Sequence, residues 1–304
     1  MSDAKNLGDQ WGSTDRVSST VAGAPCVAPG MPACIDGVLC DGLTAAMPVY
    51  DDGLLRGDGA FEYLRCYAGR PFMLLEHLDR LEHSCRVLRL PFPRSVLENE
   101  IAELLAWGIT PGYQGVTDLR IVLTRGGRRM IFLEPACWWG PTEVALVTDS
   151  PRVILAGAKS LSYAGNMLAR RVAEERGSQD ALLVTPDGRV TEAQQAAFFW
   201  TTPQGELCTP PLTEGILDSI TRRVVLKRLS VCERVCRKED VFTAVEAFLA
   251  GTPREIQPVK RIENYSFDGV PGEVTRRAIA AFRQEVQEQL KFKTPFRWPD
   301  SRES

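Results

Sequence analysis

Hydrophobic and polar positions near the start of the chain follow the pattern of β-strands. Residues 59–67 read GAFEYLRCY and alternate with the period of two that a strand requires. Two further apolar runs are each interrupted by a turn signal, Asp36-Gly37 in the first and Gly126-Gly127 in the second. Such dipeptides between two runs are typical of hairpins. The pattern therefore predicts one strand over 59–67 and two β-hairpins.

The same half of the chain contains two helical patterns. In the run from Glu76 to Leu90, apolar residues recur at spacings of three and four, which places them on one helical face. They are Leu78, Leu81, Cys85 and Leu88. A second pattern runs from Ser95 to Trp107 and opens with the letters SVLE, the spacing of a capping box. Its buried positions are predicted to be Leu97, Ile101 and Leu104.

The second half mixes strand and helix patterns after a break near residues 149–151. The predicted elements are a strand over Arg152–Ala156, a helix over Tyr163–Arg176, short strands separated by turns at 186–188 and 203–205, a helix over 220–229, a strand-turn-strand over 247–259 and a helix over 272–290. This order indicates an α+β fold. The predicted divisions are a disordered tail at 1–30, a small N-terminal domain at 31–150, a larger C-terminal domain at 151–290 and a tail at 291–304.

The charge balance excludes some classes of protein. Among 304 residues, 36 Lys and Arg face 39 Asp and Glu, which gives a net charge of −3. A nucleic-acid-binding protein would normally carry a basic stripe or a basic domain. The chain contains no apolar run of the length that spans a bilayer, and its first residues do not resemble a secretory signal. These observations predict a cytoplasmic protein that binds neither nucleic acid nor membrane.

Cysteine and histidine usage restricts the chemistry further. The nine cysteines are scattered, odd in number and without a C-x-x-C pair, which predicts reduced and mostly buried thiols. Only two histidines occur, His77 and His83, and they lie six residues apart within one helical pattern. That arrangement suits neither a His-based zinc site nor a Ser-His-Asp triad. We therefore expect no metal site and no conventional hydrolase chemistry.

Four segments carry motifs of a known family. They are residues 57–81, 158–193, 209–222 and 246–259. Together, in this order, they resemble the fold-type IV pyridoxal-phosphate enzymes, which comprise branched-chain and D-amino-acid aminotransferases and aminodeoxychorismate lyase. The resemblance covers about residues 35–290. It implies a two-domain fold that binds pyridoxal 5′-phosphate between the domains, and a homodimer in which the partner completes each pocket.

The resemblance implies two central roles in the site. A pyridoxal enzyme needs a lysine that forms a Schiff base with the cofactor and moves a proton, and Lys159 matches the family's lysine. Small neighbours at 156–158 favour a lowered pKa for its amine. Glu192, 33 residues further on, matches the glutamate that keeps the ring nitrogen protonated. Without the motif context, Lys159 would be interpreted as a surface lysine and Glu192 as a solvated loop residue.

The same resemblance implies a phosphate site. Arg80 matches the family's phosphate arginine, and its planar guanidinium suits bidentate contact with phosphate. An alternative for Arg80 is an ion pair with Glu76 one turn earlier, which is compatible with the first role. A helix is predicted to begin after Ser219, so its first amides would face an anion. The remaining phosphate ligands implied are Ser219, Ile220, Thr221 and Thr252.

Three departures from the family pattern affect the expected site. The family commonly has an asparagine five residues after the glutamate, where this chain has Ala197, so whatever that amide supports is replaced or absent. Pro253 stands in the family's Gly-Thr-Ala turn and offers no N–H for a substrate carboxylate. An arginine would then bind that carboxylate, with Arg65 the first candidate and Arg128 the second. For both arginines an exposed structural role is the alternative. Tyr63, a candidate for the substrate pocket, stands where the lyases tend to carry a threonine.

The residues and the resemblance together predict a pyridoxal-phosphate aminotransferase that moves an amino group between an amino acid or amine and a 2-oxo acid. Two alternatives stay open. The first is a lyase of the aminodeoxychorismate type, with which residues 198–200 (FFW) share a faint likeness, although Tyr63 counts against it. The second is a degenerate protein that binds cofactor or a partner without turnover, as Ala197 and Pro253 suggest.

Overall fold

The computed structural model describes residues 30–148, 155–294 and 296–298 of the chain. Several predictions lie outside these residues: the N-terminal tail up to residue 29, the break at 149–151, most of the strand over 152–156, and the end of the C-terminal tail. Leu155 and Ala156, the last two residues of that predicted strand, are described and lie in a turn.

The first half of the chain forms a six-stranded antiparallel sheet with the order β2-β1-β6-β5-β3-β4. Its strands are β1 (Pro32–Ile35), β2 (Val38–Asp41), β3 (Gly59–Tyr67), β4 (Arg70–Pro71), β5 (Val116–Thr124) and β6 (Arg129–Pro135). Both predicted hairpins are confirmed, since β1 pairs with β2 around Asp36 and Gly37, and β5 with β6 around Gly126 and Gly127. The predicted strand over 59–67 is β3.

Helices cover this sheet. They are α1 (Asp52–Arg56), α2 (Leu74–Leu88) and α3 (Arg94–Gly108). The predicted face of α2 packs into the core, with Leu78, Leu81 and Cys85 fully buried and Leu88 at its edge. The apolar face predicted for α3 is confirmed as well. Removing these side chains from water stabilises the packing of helices on the sheet.

The capping box predicted for α3 is wrong. The helix begins one residue earlier than expected, with Pro93 as its N-cap, and the Pro93 carbonyl accepts from the amide of Leu97 at 3.0 Å. Ser95 is thus the second residue inside the helix, and no side chain caps this end. A hydroxyl makes the capping bond only from the flanking position, because only there does it face the unpaired amides.

The second half forms a mixed ten-stranded sheet with the order β12-β11-β10-β14-β15-β7-β8-β9-β13, to which β16 adds beside β15. Its strands are β7 (Thr142–Thr148), β8 (Asp180–Val184), β9 (Arg189–Ala193), β10 (Ala197–Thr201), β11 (Leu207–Thr209), β12 (Cys232–Glu233), β13 (Cys236–Arg237), β14 (Glu246–Gly251), β15 (Glu255–Ile262) and β16 (Tyr265–Ser266). β7 runs parallel to β8 and β15. The fold is α+β, as predicted.

Four helices and one 3₁₀ turn accompany this sheet. They are α4 (Ala164–Glu175), α5 (Ile220–Arg228), α6 (Lys238–Val241), α7 (Glu273–Gln289) and the turn Leu212–Glu214. In α7 the side chains of Ala278, Phe282 and Val286, spaced four residues apart, are buried in one cluster with Phe199 and Phe248. The last two rings stack with centroids 4.8 Å apart. None of the described helices is long and apolar enough to cross a membrane.

The chain passes from one sheet to the other between Pro135 and Thr142. Strand β7 therefore pairs with the second sheet, although the predicted division at residue 150 assigned it to the first half. The segment around Lys159 meets the first sheet where β3 begins. There the Phe61 amide donates to the Lys159 carbonyl at 3.0 Å, and the Leu161 amide to the Gly59 carbonyl at 2.9 Å. These two backbone bonds hold the segment that carries Lys159 against the first sheet.

Candidate active site

A cleft opens between the two sheets beside this contact. Both halves of the chain contribute to its lining. Six of the residues that we predicted for the site line it: Tyr63, Arg80, Lys159, Glu192, Ser219 and Thr252. Ile220 and Thr221 follow Ser219 directly as the first two residues of α5. The structure therefore brings together groups from residues 63 to 252 in one place.

Lys159 is held by its backbone and buried beside the cation of Arg80. Its amide donates to Oγ of Ser84 at 3.0 Å, and its Nζ lies 4.3 Å from the centre of the Phe61 ring. Removal from water, aided by the positive charge of Arg80, lowers the pKa of the Lys159 amine to about 8. About a tenth of the amine is then unprotonated at pH 7, against less than about one part in a thousand for an ordinary lysine. An unprotonated amine is the form that can attack a carbonyl carbon.

Arg80 reaches the cleft from α2 and is held by a buried carboxylate. Its Nε and Nη2 donate to the two oxygens of Glu62, each at 2.7 Å. Its Nη1 donates to the carbonyl of Asp218 at 3.0 Å. The ion pair that we considered with Glu76 is not the one that the structure forms. Arg80 is therefore fixed between β3 and the start of α5.

Glu62 also binds His77, and this pair completes the support of Arg80. The Arg80 charge holds the pKa of the Glu62 carboxyl well below its usual range, although burial opposes this. Burial lowers the pKa of His77. Because an ionised carboxylate only accepts, the neutral His77 donates through Nδ1 to Glu62, at 2.8 Å. The cluster carries a charged pair and a neutral ring, all buried.

The start of α5 is arranged as an anion site. Ser219 is the N-cap, and its Oγ accepts from the amide of Arg222 at 3.3 Å. The amides of Ile220 and Thr221 precede the first intrahelical hydrogen bond, so no acceptor exists for them within the helix. These amides and the helix dipole favour a negative group at this end. Because Arg80 binds the carbonyl of Asp218 next to the cap, its cation lies beside the same site.

Glu192 and Thr252 approach the cleft from β9 and from the turn between β14 and β15. Oε2 of Glu192 accepts from the amide of Leu217 at 3.2 Å. The turn around Thr252 is closed by the amide of Arg254, which donates to the Gly251 carbonyl at 3.0 Å. A side chain at Gly251 would come within 3.1 Å of the Gln195 carbonyl, so the close approach of these two segments favours glycine.

Tyr63 faces the cleft, and a cation stacks on its ring. Its hydroxyl donates to Oδ2 of Asp118 at 2.9 Å. The guanidinium of Arg120 lies 4.5 Å from the ring centre and is itself paired with Glu134 through two hydrogen bonds of 2.6 and 3.1 Å. Tyr63 thus forms part of one wall of the site, and Arg120 supports its ring from behind.

The two arginines that we predicted as carboxylate ligands lie elsewhere. Arg65 is only 1% exposed. Its Nε and Nη2 donate to Asp118 at 2.8 and 3.2 Å, and its Nη1 to Glu255 at 3.5 Å. Arg128 pairs with Asp36 at 2.7 Å beside the β5–β6 turn. Neither lines the cleft in the described part of the chain, so we do not retain them as ligands. Their donors serve internal pairs, which corresponds to the structural alternative, although Arg65 is buried rather than exposed.

Several residues of the site were missed from sequence. They include Phe61, Glu62, His77, Arg120 and Gln194. One signal was present for Glu62, because it shares the core face of β3 with Ala60 and Leu64. A carboxylate on a core face must be paired, and α2 follows directly with basic residues. For the others no local signal exists, since their neighbours in the cleft are distant in the chain.

Comparisons with known proteins identify the family of this chain. The family model described as amino-transferase class IV matches residues 59–262. A "Putative branched-chain-amino-acid aminotransferase" of Methanocaldococcus jannaschii is 32% identical over 276 residues, covering 82% of this chain and 94% of that protein. An aminodeoxychorismate lyase of Bacillus subtilis is 26% identical, covering 84% and 94%. The crystal structure of a branched-chain aminotransferase from Thermoproteus uzoniensis, with norvaline, matches with a TM-score of 0.77 at 25% identity, covering 88% and 99%. The chain therefore belongs to the amino-transferase class IV family, the fold-type IV pyridoxal-phosphate enzymes.

Proposed function

We propose that this protein is a pyridoxal-phosphate-dependent aminotransferase, which moves an amino group between an amino acid or amine and a 2-oxo acid. One observation carries the proposal: the amine of Lys159, with a lowered pKa, lines the same cleft as Arg80 and Glu192. Membership of the class IV family supports it. The identity of the amino donor and its handedness depend on the shape of the pocket.

The groups in the cleft fit pyridoxal 5′-phosphate by charge and chemistry. An aldehyde needs an unprotonated amine, which Lys159 offers. A phosphate needs cationic and N–H donors, which Arg80 and the first turn of α5 offer. A pyridinium nitrogen needs a carboxylate, which Glu192 offers. When bound, the cofactor supplies an electron sink for the charge that develops at the substrate α-carbon.

Each of these residues has its own role in binding the cofactor or moving a proton. Nζ of Lys159 would hold the cofactor through its aldehyde and would accept a proton from the substrate α-carbon. Glu192 holds a proton on the ring nitrogen. Arg80 and the Ile220 and Thr221 amides bind the phosphate, and the hydroxyls of Ser219 and Thr252 donate to it. Because Ser219 caps the helix as an acceptor, its own proton is available for this bond.

The lyase is the second candidate, and a relative of that name supports it. The structural support from residues 198–200 is weak, because all three side chains lie buried in β10. Tyr63, in contrast, lines the cleft directly. The degenerate alternative rests on Ala197 and Pro253, both of which also line the cleft. Retention of Lys159, Glu192 and Arg80 in one place favours turnover.

The test is a half-reaction without acceptor. Protein loaded with pyridoxal phosphate is mixed with single L-amino acids, D-amino acids or amines, and the visible absorbance and released products are followed. We expect one donor class to abolish the absorbance and release the matching oxo acid, and an added 2-oxo acid to restore it. Pyruvate release from aminodeoxychorismate without any acceptor would favour the lyase. Cofactor uptake with no response to any of these substrates would favour the degenerate protein.

We further propose a homodimer in the cytoplasm. Several large apolar side chains before β3 are exposed, among them Tyr50 at 89% and Leu43 at 74%, and a partner subunit would cover them. The described cysteines are all free, as expected in a reducing compartment. Light scattering of the purified chain tests the dimer, and a molar mass near that of one chain would contradict it.

A further inference from the structure

Three candidate metal ligands lie together at one end of the second sheet. Glu206, Cys208 and Cys232 place one carboxylate oxygen and two Sγ atoms within 4.8 Å of one another. Both cysteines are free thiols. Cys208 is fully buried, Cys232 is half-buried and Glu206 is exposed, so the cluster extends from the core to solvent. None of the three residues lines the cleft between the sheets.

The pairing of the strands places these side chains on one face of the sheet. Cys208 of β11 stands opposite Cys232 of β12 in a parallel pair, and both pack against the same hydrophobic cluster. Glu206 precedes Cys208 by two positions, the period that returns a side chain to the same face of a strand. Because β12 is the outermost strand in the order of this sheet, the cluster lies at its edge.

The distances within the cluster match those around a tetrahedral zinc ion. Sγ of Cys208 lies 3.7 Å from Oε2 of Glu206 and 3.7 Å from the carbonyl oxygen of the same residue. Zinc binds sulfur at about 2.3 Å and carboxylate oxygen at about 2.0–2.2 Å, so a tetrahedral angle separates these two ligands by about 3.6 Å. Two sulfur ligands lie about 3.8 Å apart in the same geometry, so displacements of about 1 Å at most bring Cys232 into place.

A cation beside the cluster balances the charge of such a site. Nη1 of Arg234 lies 3.6 Å from Oε2 of Glu206, and its Nη2 lies 3.5 Å from Asp240. Cysteine binds zinc as a thiolate. Two thiolates, one carboxylate and Zn²⁺ together leave one net negative charge, which the guanidinium of Arg234 offsets.

We propose that Glu206, Cys208 and Cys232 bind one Zn²⁺ ion, with water as the fourth ligand. Two sulfurs and one carboxylate suit zinc rather than magnesium or calcium, which are bound through oxygen. The expectation of no metal site rested on two histidines and on the lack of a C-x-x-C pair. Neither observation concerns cysteines that meet only through strand pairing. The site is independent of pyridoxal phosphate, because its three ligands lie outside the cleft.

Zinc at this position fastens an edge strand that supports α5. β12 consists of Cys232 and Glu233 and pairs with β11. Glu233 is also a partner of Arg222, which is buried in α5. The ion joins β12 to β11 through side chains, in addition to their backbone pairing. We therefore expect the Tm to rise when Zn²⁺ is added, because an ion that binds only the folded state stabilises that state.

Metal titration of the full-length protein tests the proposal. The protein is reduced, stripped of metal with a chelator and titrated with Co²⁺, whose bonds to thiolates produce a charge-transfer band in the near ultraviolet. Zn²⁺ is then added in competition. We expect one Co²⁺ to bind per chain with this band, and Zn²⁺ to displace it because zinc binds such sites more tightly. Reduced protein without the band overturns the proposal.

Substitutions identify the ligands. Cys208→Ala and Cys232→Ala each remove one thiolate, and we expect the Kd for Zn²⁺ to rise more than about 100-fold, beyond the cost of losing an outer partner. Cys232→Ala, at the sheet edge, carries the test should Cys208→Ala not fold. Glu206→Gln keeps both thiolates, so the band remains while the Kd rises. Cys85→Ala is the matched control and should leave the Kd unchanged, since Cys85 is a buried free thiol in α2.

The outcomes separate this site from other uses of the two cysteines and from the proposed function. Equal zinc affinity in the wild type, Cys232→Ala and Cys85→Ala overturns the site. A disulfide between Cys208 and Cys232, together with no metal uptake after reduction, identifies a redox pair instead. A protein that binds zinc through these ligands but takes up no pyridoxal phosphate supports the site while the proposed function falls.

Discussion

Arg80 and Glu62 are joined by two parallel hydrogen bonds, from Nε to Oε1 and from Nη2 to Oε2, each 2.7 Å long. The pair is buried between α2 and β3. Its fork geometry leaves Nη1 of Arg80 directed at the carbonyl of Asp218, next to the N-terminus of α5. Glu62 therefore positions the cation beside the anion site without itself reaching it.

Replacing Glu62 should weaken both the fold and the phosphate site. In Glu62→Gln the guanidinium of Arg80 stays buried without a counter-charge, and we expect a loss of about 3 kcal/mol in the free energy of unfolding. Urea unfolding measures this loss, and a titration measures the weaker binding of pyridoxal phosphate. Asp79→Asn, which removes an exposed partner of Arg94, is the control and should change neither quantity. Equal effects of the two substitutions would contradict the role of Glu62.

The same pair predicts a dependence of stability on pH. The pKa of Glu62 in the folded protein lies below its ordinary value of 4.5. The unfolded chain therefore binds this proton more readily, and the stability that Glu62 contributes is present above pH 4.5 and lost as the pH falls towards the folded pKa. Urea midpoints between pH 6 and pH 3 should fall more steeply for the wild type than for Glu62→Gln. Parallel curves would show that Glu62 does not titrate in this way.

The pKa of Lys159 should be visible in its reactivity. Only the unprotonated amine reacts with an acylating reagent, so labelling of Lys159 in the cofactor-free protein should increase with a midpoint near pH 8. Exposed lysines should require a more alkaline solution, since their ordinary pKa is about 10.4. Peptide mass spectrometry compares all of them in one sample. Pyridoxal phosphate should protect Lys159 alone, and a common pH profile for all lysines would contradict the effect of burial.

Substitutions of Arg65 and Arg128 should differ in their effect on the free energy of unfolding, and neither should affect substrate binding. Arg65→Met leaves Asp118 and Glu255 without their buried partner, and we expect a loss of about 3–5 kcal/mol. Arg128→Met removes a half-exposed pair and should cost within about 1 kcal/mol. Neither change should alter KM for the amino donor, when measured below the unfolding temperature. A rise in KM for either variant would restore that arginine as a carboxylate ligand.

Substitution of two serines compares the N-terminus of α5, which Ser219 caps, with that of α3, where Ser95 caps nothing. Ser219→Ala removes the cap of α5 and should cost about 1 kcal/mol in the free energy of unfolding. The substitution should also weaken the binding of pyridoxal phosphate, because one hydroxyl donor is lost. Ser95→Ala lies inside α3, where the serine caps nothing, and should leave both quantities unchanged. A destabilised Ser95→Ala protein would support the capping box that the structure does not show.

Local signals predicted much of this fold and failed at identifiable points. Strand β3 and the two hairpins followed from alternation and from turn dipeptides, because these depend on neighbouring residues only. The start of α3 was misplaced because Pro93 supplies the cap carbonyl ahead of Ser95. The alternation correctly put Arg65 and Tyr63 on one face of β3. It could not show that Asp118 stands opposite Arg65, which depends on the register of β3 with β5.

The sequence by itself determined the order of the elements, the faces that they bury and the motif positions of Lys159, Glu192 and Arg80. Only the tertiary structure decided which cations reach the cleft and how far the pKa of Lys159 falls. The reason is physical. Hydrogen bonds, ion pairs and desolvation depend on distances in space, and Arg80 meets the carbonyl of Asp218 across 138 positions of the chain.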